Sequence, residues 1–581
     1  MSDRISSARP LRTAALLGAA LVAACGDAPE PEGVADLVVT NGTVVTMDDA
    51  RPEAEAVAID DGRIVAVGSA AEIADWIGAS TEVVDVEGRL VIPGFIEGHG
   101  HYTGLGDTRM ILDLTTATSF DEIVQQVADA VQSAEPGSWI RGRGWHQEKW
   151  TSTPQPNVDG VPLHDALSAV SPEHPVILTH ASGHATFVNE RALELAGIDD
   201  STPDPDGGTI VRDATGRATG LLRETASGLV RGAMAEAQAG MSDEERDAIF
   251  REQVRLAGQE SLANGVTAFH DAGVTLGTAG ALRRLADEGA LPVRLYVMVR
   301  DGNEALRAGL ADAMVEEYGD GFLTVRSIKV SIDGALGSHG AWLLEPYADL
   351  PSSAGLNTVP VPDVEETARI ALDLGAQLNV HAIGDRANRE VLDLYEAAWN
   401  EAGVSGEGLR WRIEHAQHLH PGDIPRFAEL GVIASMQGVH ATSDGPWVPE
   451  KLGEWRSRTG AYMWRDLWDS GAIVTNGTDV PVEPISPIAS YYSMVSRMMN
   501  TGERFYPDQA LERVEALRAY TIHAAYSAFQ DEVMGSLTPG KYGDLVVLDR
   551  NLLTVPEEEI PQTRVDLTVL GGEVVYRRDG R

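Results

Sequence analysis

Three segments carry residues whose types could do chemistry: PGFIEGHGH at residues 93–101, HAIGD at 381–385 and NGTDVP at 476–481. Each sets an imidazole or a carboxylate at the end of an apolar run. His99 and His101 follow the first run, His381 ends another and Asp479 follows a third; the remaining runs add Lys329 and His415. Imidazole nitrogens and carboxylate oxygens are the ligand types that suit zinc and its neighbours in the transition series. A single histidine at a strand end is more often structural, and several at successive strand ends reverse that balance. Lys329 is the odd member, because an ammonium cannot ligate a cation and its burial is costly. It fits if CO2 adds to the amine, giving a carbamate anion whose two oxygens can bridge two metals.

Residues so far apart must be brought together by the elements that carry them. Strand-like apolar runs at 90–96, 266–270, 293–299, 327–332, 377–381, 411–415, 432–436 and 473–476 alternate with amphipathic helical stretches such as RANREVLDLYEAAWNEAG after His381. That alternation predicts βα units, and eight of them suit an α/β (β/α)8 TIM barrel, in which the C-terminal ends of all strands meet on one face. The spacing predicts that face as the place where His99, His101, Lys329, His381, His415 and Asp479 converge. Outside the barrel, residues 35–90 read as hairpins punctuated by Asn41-Gly42 and Asp61-Gly62, and residues 531–581 repeat the style in GDLVVLDRN and VDLTVLGGEVVYRRDG. The terminal piece is too small for a core of its own, so both ends are expected to form one small β-sandwich. The barrel then occupies 91–530, with a Gly-, Pro- and Trp-rich insertion at about 119–259 after the first strand.

The chain has 581 residues, 43% of them hydrophobic, enough to bury a large core. Its 45 Lys+Arg against 88 Asp+Glu give a formal charge of -43, which repels nucleic acid and anionic membrane surfaces. The same acidity suits a salty medium or plain solubility. Arg4, Arg9 and Arg12 precede a short apolar run at 13–24 that stops at Cys25, the chain's one cysteine. This resembles a lipoprotein signal with the lipobox Val22-Ala23-Ala24-Cys25; a plain secretory signal is the alternative. Residues 1–24 are expected to be removed and 25–34 to act as a tether. The protein would then be exported and face the periplasm or cell exterior, touching membrane only through a lipid anchor on Cys25. Homodimerisation stays open.

The motifs PGFIEGHGH, THASGHATFVN, IKVSIDGALGS, HAIGDRA, RIEHAQ, GTDVP and GSLTPGKYGDLVVLD occur in this order across nearly the whole mature chain. In them the chain resembles the amidohydrolase superfamily, and within it the family 3 group of N-substituted formamide deformylase-like hydrolases. The resemblance implies two divalent ions, zinc being the expected metal. His99, His101 and Asp479 would hold the more buried ion, His381 and His415 the other, and carboxylated Lys329 would bridge them. It also implies the sandwich built from both termini. Two positions depart from the family pattern: His339 stands after LGS where arginine is usual, and Gly438 after SMQ where proline is frequent. Both are expected to face the substrate.

Metals that share a water polarise a carbonyl and lower the pKa of the water, and Asp479 is the natural proton shuttle to a leaving amine. The expected activity is hydrolysis of a carbon–nitrogen bond in a small non-peptide amide, N-formyl or N-acyl. Open alternatives are an esterase, a metal-assisted isomerase, or a non-catalytic metal- or solute-binding lipoprotein. His184 reads as a substrate or oxyanion contact, Trp145 as an aromatic wall, and Gln437 and His440 as substrate contacts. Asp385 and Arg386 read as a pair that orients His381. Each of these has a structural role as its alternative.

Overall fold

The computed structural model describes residues 33–578, apart from 148–149, 182, 184 and 206–207. The expected leader with its lipobox and Cys25, most of the expected tether and His184 lie outside the described residues.

Both chain ends enter one sandwich. Its first sheet orders Arg63–Gly68, Ala56–Asp60, Leu37–Thr40 and Glu82–Asp85. The second runs Glu573–Arg577, Val565–Leu570, Leu545–Leu548, Leu90–Pro93, Thr43–Val45 and Glu53–Ala54. Val91 faces Val547 across an antiparallel pair, so the N- and C-terminal pieces share one ladder. Leu37, Val39, Ile59, Val91, Val547 and Val569 fill the space between the sheets. The Asp61-Gly62 turn takes positive φ at both residues (47° and 71°), the geometry that joins two twisted strands in two residues.

Eight parallel strands follow: β1 (Phe95–Gly100), β2 (Val266–Val274), β3 (Arg294–Val299), β4 (Leu323–Ser331), β5 (Gln377–Ala382), β6 (Arg412–His415), β7 (Ile433–Gln437) and β8 (Val474–Gly477). Each is hydrogen-bonded to the next from β1 to β8. The last gap closes just above the strands, where Asp479 N–H donates to His99 O (2.8 Å) and His101 N–H to Val480 O (2.7 Å). A Cβ on Gly98 would stand 2.4 Å from Asn476 O, so only glycine lets β1 and β8 come this close. Helices cover the outside of the barrel. Asp385–Ala402 buries Val391, Leu392, Tyr395 and Trp399 in the barrel core and ends at Gly403, with φ 68°.

Two boundaries differ from the sequence expectation. The apolar run 90–96 is two strands, because at Gly94 the chain leaves the sandwich for the barrel; a Cβ there would lie 2.1 Å from Thr267 Oγ1. The insertion starts earlier and ends earlier than 119–259. Its sheet orders Gly208–Arg212, Ala218–Glu224, Ala185–Val188, Val176–His180, Ile140–Trp145 and Leu112–Asp113. The helix Asp243–Ala263, begun by a Ser242/Glu245 capping box, belongs to the barrel, since Val254 and Ala257 lie in the barrel core.

Candidate metal centre

In β1, side chains two apart share a face, so Glu97 and His99 both point into the barrel, and His101 continues the row. His99 Nδ1 donates to Glu414 Oε2, and both side chains are wholly buried. Glu414 is held by Arg412, whose Nε lies 2.7 Å from Oε1 and whose Nη2 donates to Oε2 at 3.0 Å. Arg412 Nη2 also donates to Gly98 O and Ser435 Oγ, both at 2.7 Å. Burial alone would raise the Glu414 pKa, but Arg412 and His99 hold the carboxyl well below its usual range. Burial, with Lys329 nearby, pulls His99 down to about 4, so the ring is neutral. With the proton on Nδ1, Nε2 carries a lone pair facing the site, the tautomer a metal needs. Replacing Arg412 by methionine should cost about 3–5 kcal/mol, because it strands a buried carboxylate, whereas Ser435→Ala should cost about 1 kcal/mol. Urea unfolding of the metal-free protein checks this; equal costs for the two would contradict the clamp.

Asp479 follows β8 with φ 57°. Its Oδ1 lies 3.2 Å from His101 Nε2 and 3.6 Å from His99 Nε2. Burial raises its pKa, yet the His101 contact and the surrounding imidazoles bring the carboxyl well below its usual range. On the other side, the His381 and His415 rings meet edge to face at 4.4 Å, and His415 lies 4.7 Å from His99. His415 Nδ1 donates to Gln437 Oε1 at 2.7 Å, and the Gln437 amide is fixed by its own bond to Ser435 O (3.2 Å). His381 Nε2 is 3.6 Å from Asp333 Oδ1. Asp333 in turn accepts the backbone N–H of Trp342 (2.9 Å), Ile383 (2.9 Å) and Gly384 (2.8 Å). Lys329 is 3% exposed, and among the described residues its Nζ makes one hydrogen bond, a 3.5 Å contact to Ala272 O. Burial pulls its pKa down to about 8.

The donor set fits metal. His99 Nε2, His381 Nε2 and Asp479 Oδ1 are buried with no hydrogen-bond partner among the described residues. Leaving one buried polar atom unmet costs about 1–3 kcal/mol, and a cation answers several at once. Ligand-competent atoms of His99, His101 and Asp479 lie within 4.8 Å of one another, as do those of His415, His440 and Asp479. The structure therefore gathers His99, His101, His415 and Asp479 and adds His440, while His381 and Lys329 line the same end of the barrel.

Other expected roles change. Trp145 is no aromatic wall: its Nε1 donates to Leu178 O at 2.8 Å and its ring packs in the insertion's own core against Trp150 and Phe187. His339 sits on the loop after β4, engaged by Asp349 Oδ2 (2.9 Å) and Lys451 Nζ (3.0 Å), so its ring nitrogen is already committed. Gln437 stands behind His415 instead of facing substrate. Gly438 is also turned inward: its N–H donates to Asn476 Oδ1 at 2.7 Å, a bond proline cannot make, and a Cβ would be 2.6 Å from Met494 Cγ. Asp385 accepts from Leu344 N–H (2.9 Å) and Arg386 lies over Trp342, so Asp333, not Asp385, stands beside His381. The residues missed in the sequence are Arg412, Glu414 and Asp333. Two charges spaced two apart inside the short strand RIEH were the available signal, because an isolated charge inside a barrel strand must have a partner.

Residues 82–576 match the model of the amidohydrolase family. Protein LONG AFTER FAR-RED 3 of Arabidopsis thaliana is 35% identical over 559 residues, 94% of this chain and 92% of its own length. N-substituted formamide deformylase of Arthrobacter pascens is 30% identical over 553 residues, 94% of this chain and 99% of its own. The crystal structure of an uncharacterized metal-dependent hydrolase from Pyrococcus horikoshii OT3 superposes with a TM-score of 0.74 at 27% identity, covering 90% of this chain and 99% of that one. A family match that runs from the sandwich through the barrel and back into the sandwich can be read in one way: the chain belongs to the amidohydrolase family.

Proposed function

We propose that the protein is a metal-dependent hydrolase that cleaves the carbon–nitrogen bond of a small non-peptide amide, N-formyl or N-acyl. The observation that carries this reading is the convergence of His99, His381, His415 and Asp479 at the C-terminal end of the barrel, with His99 Nε2, His381 Nε2 and Asp479 Oδ1 buried and without a hydrogen bond among the described residues. His99, His101 and Asp479 would hold one ion, His381 and His415 a second, with carboxylated Lys329 between them. Bound there, zinc would polarise the substrate carbonyl and lower the pKa of water.

The chain's own groups supply the rest. Glu414 and Gln437 fix the rings of His99 and His415 with their Nε2 atoms facing the site. Asp479 takes a proton from the attacking water as oxygen bonds to the carbonyl carbon, and returns it to the amine as the C–N bond breaks. The products are a carboxylic acid and an amine. The 30% identity to N-substituted formamide deformylase over nearly both whole chains supports this substrate class.

Purified protein from zinc-supplemented medium, assayed against formyl, acyl, aryl and cyclic amides with metal content measured in parallel, tests the reading. Close to two ions per chain and stoichiometric release of amine and carboxylate are expected. Metal-free protein sinks the centre; metal-loaded protein that rearranges substrate without releasing amine moves the reading to an isomerase.

A further inference from the structure

Behind the centre, two histidines with nearly parallel rings are held by two glutamines in opposite senses. His415 and His440 have ring planes 14° apart and centroids 6.3 Å apart. His415 ends β6, and His440 lies on the helix Gly438–Asp444 that follows β7. At His415 the amide presents oxygen, so Nδ1 carries the proton and Nε2 is left as a lone pair. At His440 the amide presents nitrogen: Gln417 Nε2 donates to Nδ1 at 3.0 Å. A neutral imidazole that accepts at Nδ1 carries its proton on Nε2. His440 Nε2 is buried and without a hydrogen-bond partner among the described residues, and one of the two ring nitrogens of His440 lies within 4.8 Å of ligand-competent atoms of His415 and Asp479.

We infer that His440 is a substrate-contacting residue of this centre that donates its Nε2–H to the oxygen of the carbonyl under attack, and that Gln417 is the positioning residue that sets its tautomer. The inference rests on the hydrolase reading above. Geometry alone would equally allow His440 to complete a metal site with His415 and Asp479; the proton on Nε2 decides against it, because a nitrogen that bears hydrogen has no lone pair to give. A fixed donor aimed where negative charge develops acts in the transition state more than in the ground state. Gln417 and His440 are both nearly buried, at 5% and 6% exposure, so the pair is held rigidly, as such a role requires.

The test uses cobalt-loaded full-length protein, with acetohydroxamate as a probe presenting an acyl oxygen. His440→Ala should leave cobalt stoichiometry and the visible spectrum of the probe-free protein unchanged, while weakening acetohydroxamate about tenfold. On any amide the wild type hydrolyses, kcat should fall about 10²-fold. His440→Gln, which keeps an N–H donor and most of the volume, should recover part of both. Gln417→Glu accepts from Nδ1–H and removes the proton from Nε2, so it should weaken the probe as much as His440→Ala does. The double variant should then be no worse than either single one. Loss of an ion or a changed spectrum in His440→Ala would make the residue a ligand and overturn the assignment. Equal probe affinity in wild type and variant would overturn it as well. A wild-type protein that takes up no cobalt overturns both this inference and the hydrolase reading, whereas normal uptake with either of the preceding results overturns only the role of His440.

Discussion

Lys329→Ala should strip the protein of metal and of hydrolysis together, while leaving the metal-free fold as stable as before or more so. Lys329 sits in β4, nearly buried, and among the described residues its Nζ has a single hydrogen bond, a 3.5 Å contact to Ala272 O. Glu414 and Asp479 favour the ammonium, but burial outweighs them, so the charged form costs stability and its removal does not cost the fold. The amine has a different use if it carries CO2. Nitrogen bonds to the carbon of CO2, one proton leaves to water, and the product is an anion able to stand between two cations. Only the neutral amine can do this. Burial brings its folded pKa to about 8, below the 10.5 of a free lysine, so the neutral fraction grows as pH rises through about 8. Recovery of metal-stripped protein by zinc, at fixed dissolved CO2, should therefore quicken between pH 7 and pH 9, roughly the range over which such an amine loses its proton. Elemental analysis should find Lys329→Ala near background, and short-chain carboxylic acids should restore part of the metal. A variant that keeps its full metal complement, or a recovery rate flat with pH, would rule out the bridging role.

That much of this site is legible in the amino-acid sequence follows from how a parallel barrel buries its strands. Both faces of β5 are covered although QLNVHA alternates polar and apolar residues, and its one imidazole stands out as a ligand type near the strand end. What stays hidden are the groups that depend on a partner far along the chain. His99 and Glu414 are 315 residues apart, and nothing in RIEH says which histidine its carboxylate will meet. The His440 and Gln417 pair is hidden in the same way, because helix Gly438–Asp444 and the loop after β6 are brought together only by closure of the barrel. Trp145 misleads for a related reason: nothing local in GRGW says that it belongs to a strand of the insertion's sheet, where the indole meets Leu178 O. The run at 90–96 is continuous in hydrophobicity across a domain boundary. The break at Gly94 is set by contact with Thr267, which local pattern does not record.

Asp479→Asn should keep the fold and lose catalysis, which makes it the sharpest separation of an enzyme from a metal-binding protein. The backbone at this position is left-handed, φ 57°, a conformation asparagine tolerates as well as aspartate, and the two side chains are nearly isosteric. The hydrogen bond from Asp479 N–H to His99 O, which helps close β1 against β8, is untouched by the exchange. What disappears is the negative charge 3.2 Å from His101 Nε2 and 3.6 Å from His99 Nε2. A carboxamide cannot take a proton from water, so kcat should fall by roughly 10²-fold to 10⁴-fold, the range for removing one acid–base group. Metal per chain must be measured on the same preparation and the rate normalised to it, because Asp479 is also placed to ligate. The carboxyl is held well below its usual range by its imidazole neighbours, so it is ionised across the whole workable pH range. A rising limb in kcat/KM therefore belongs to the coupled centre and not to Asp479 titrating alone. The asparagine variant should lack that limb or be too slow to show it. If it retains its metal, turns over near the wild-type rate and keeps the profile, then Asp479 is a ligand only, and the proton must travel through another group at the same end of the barrel.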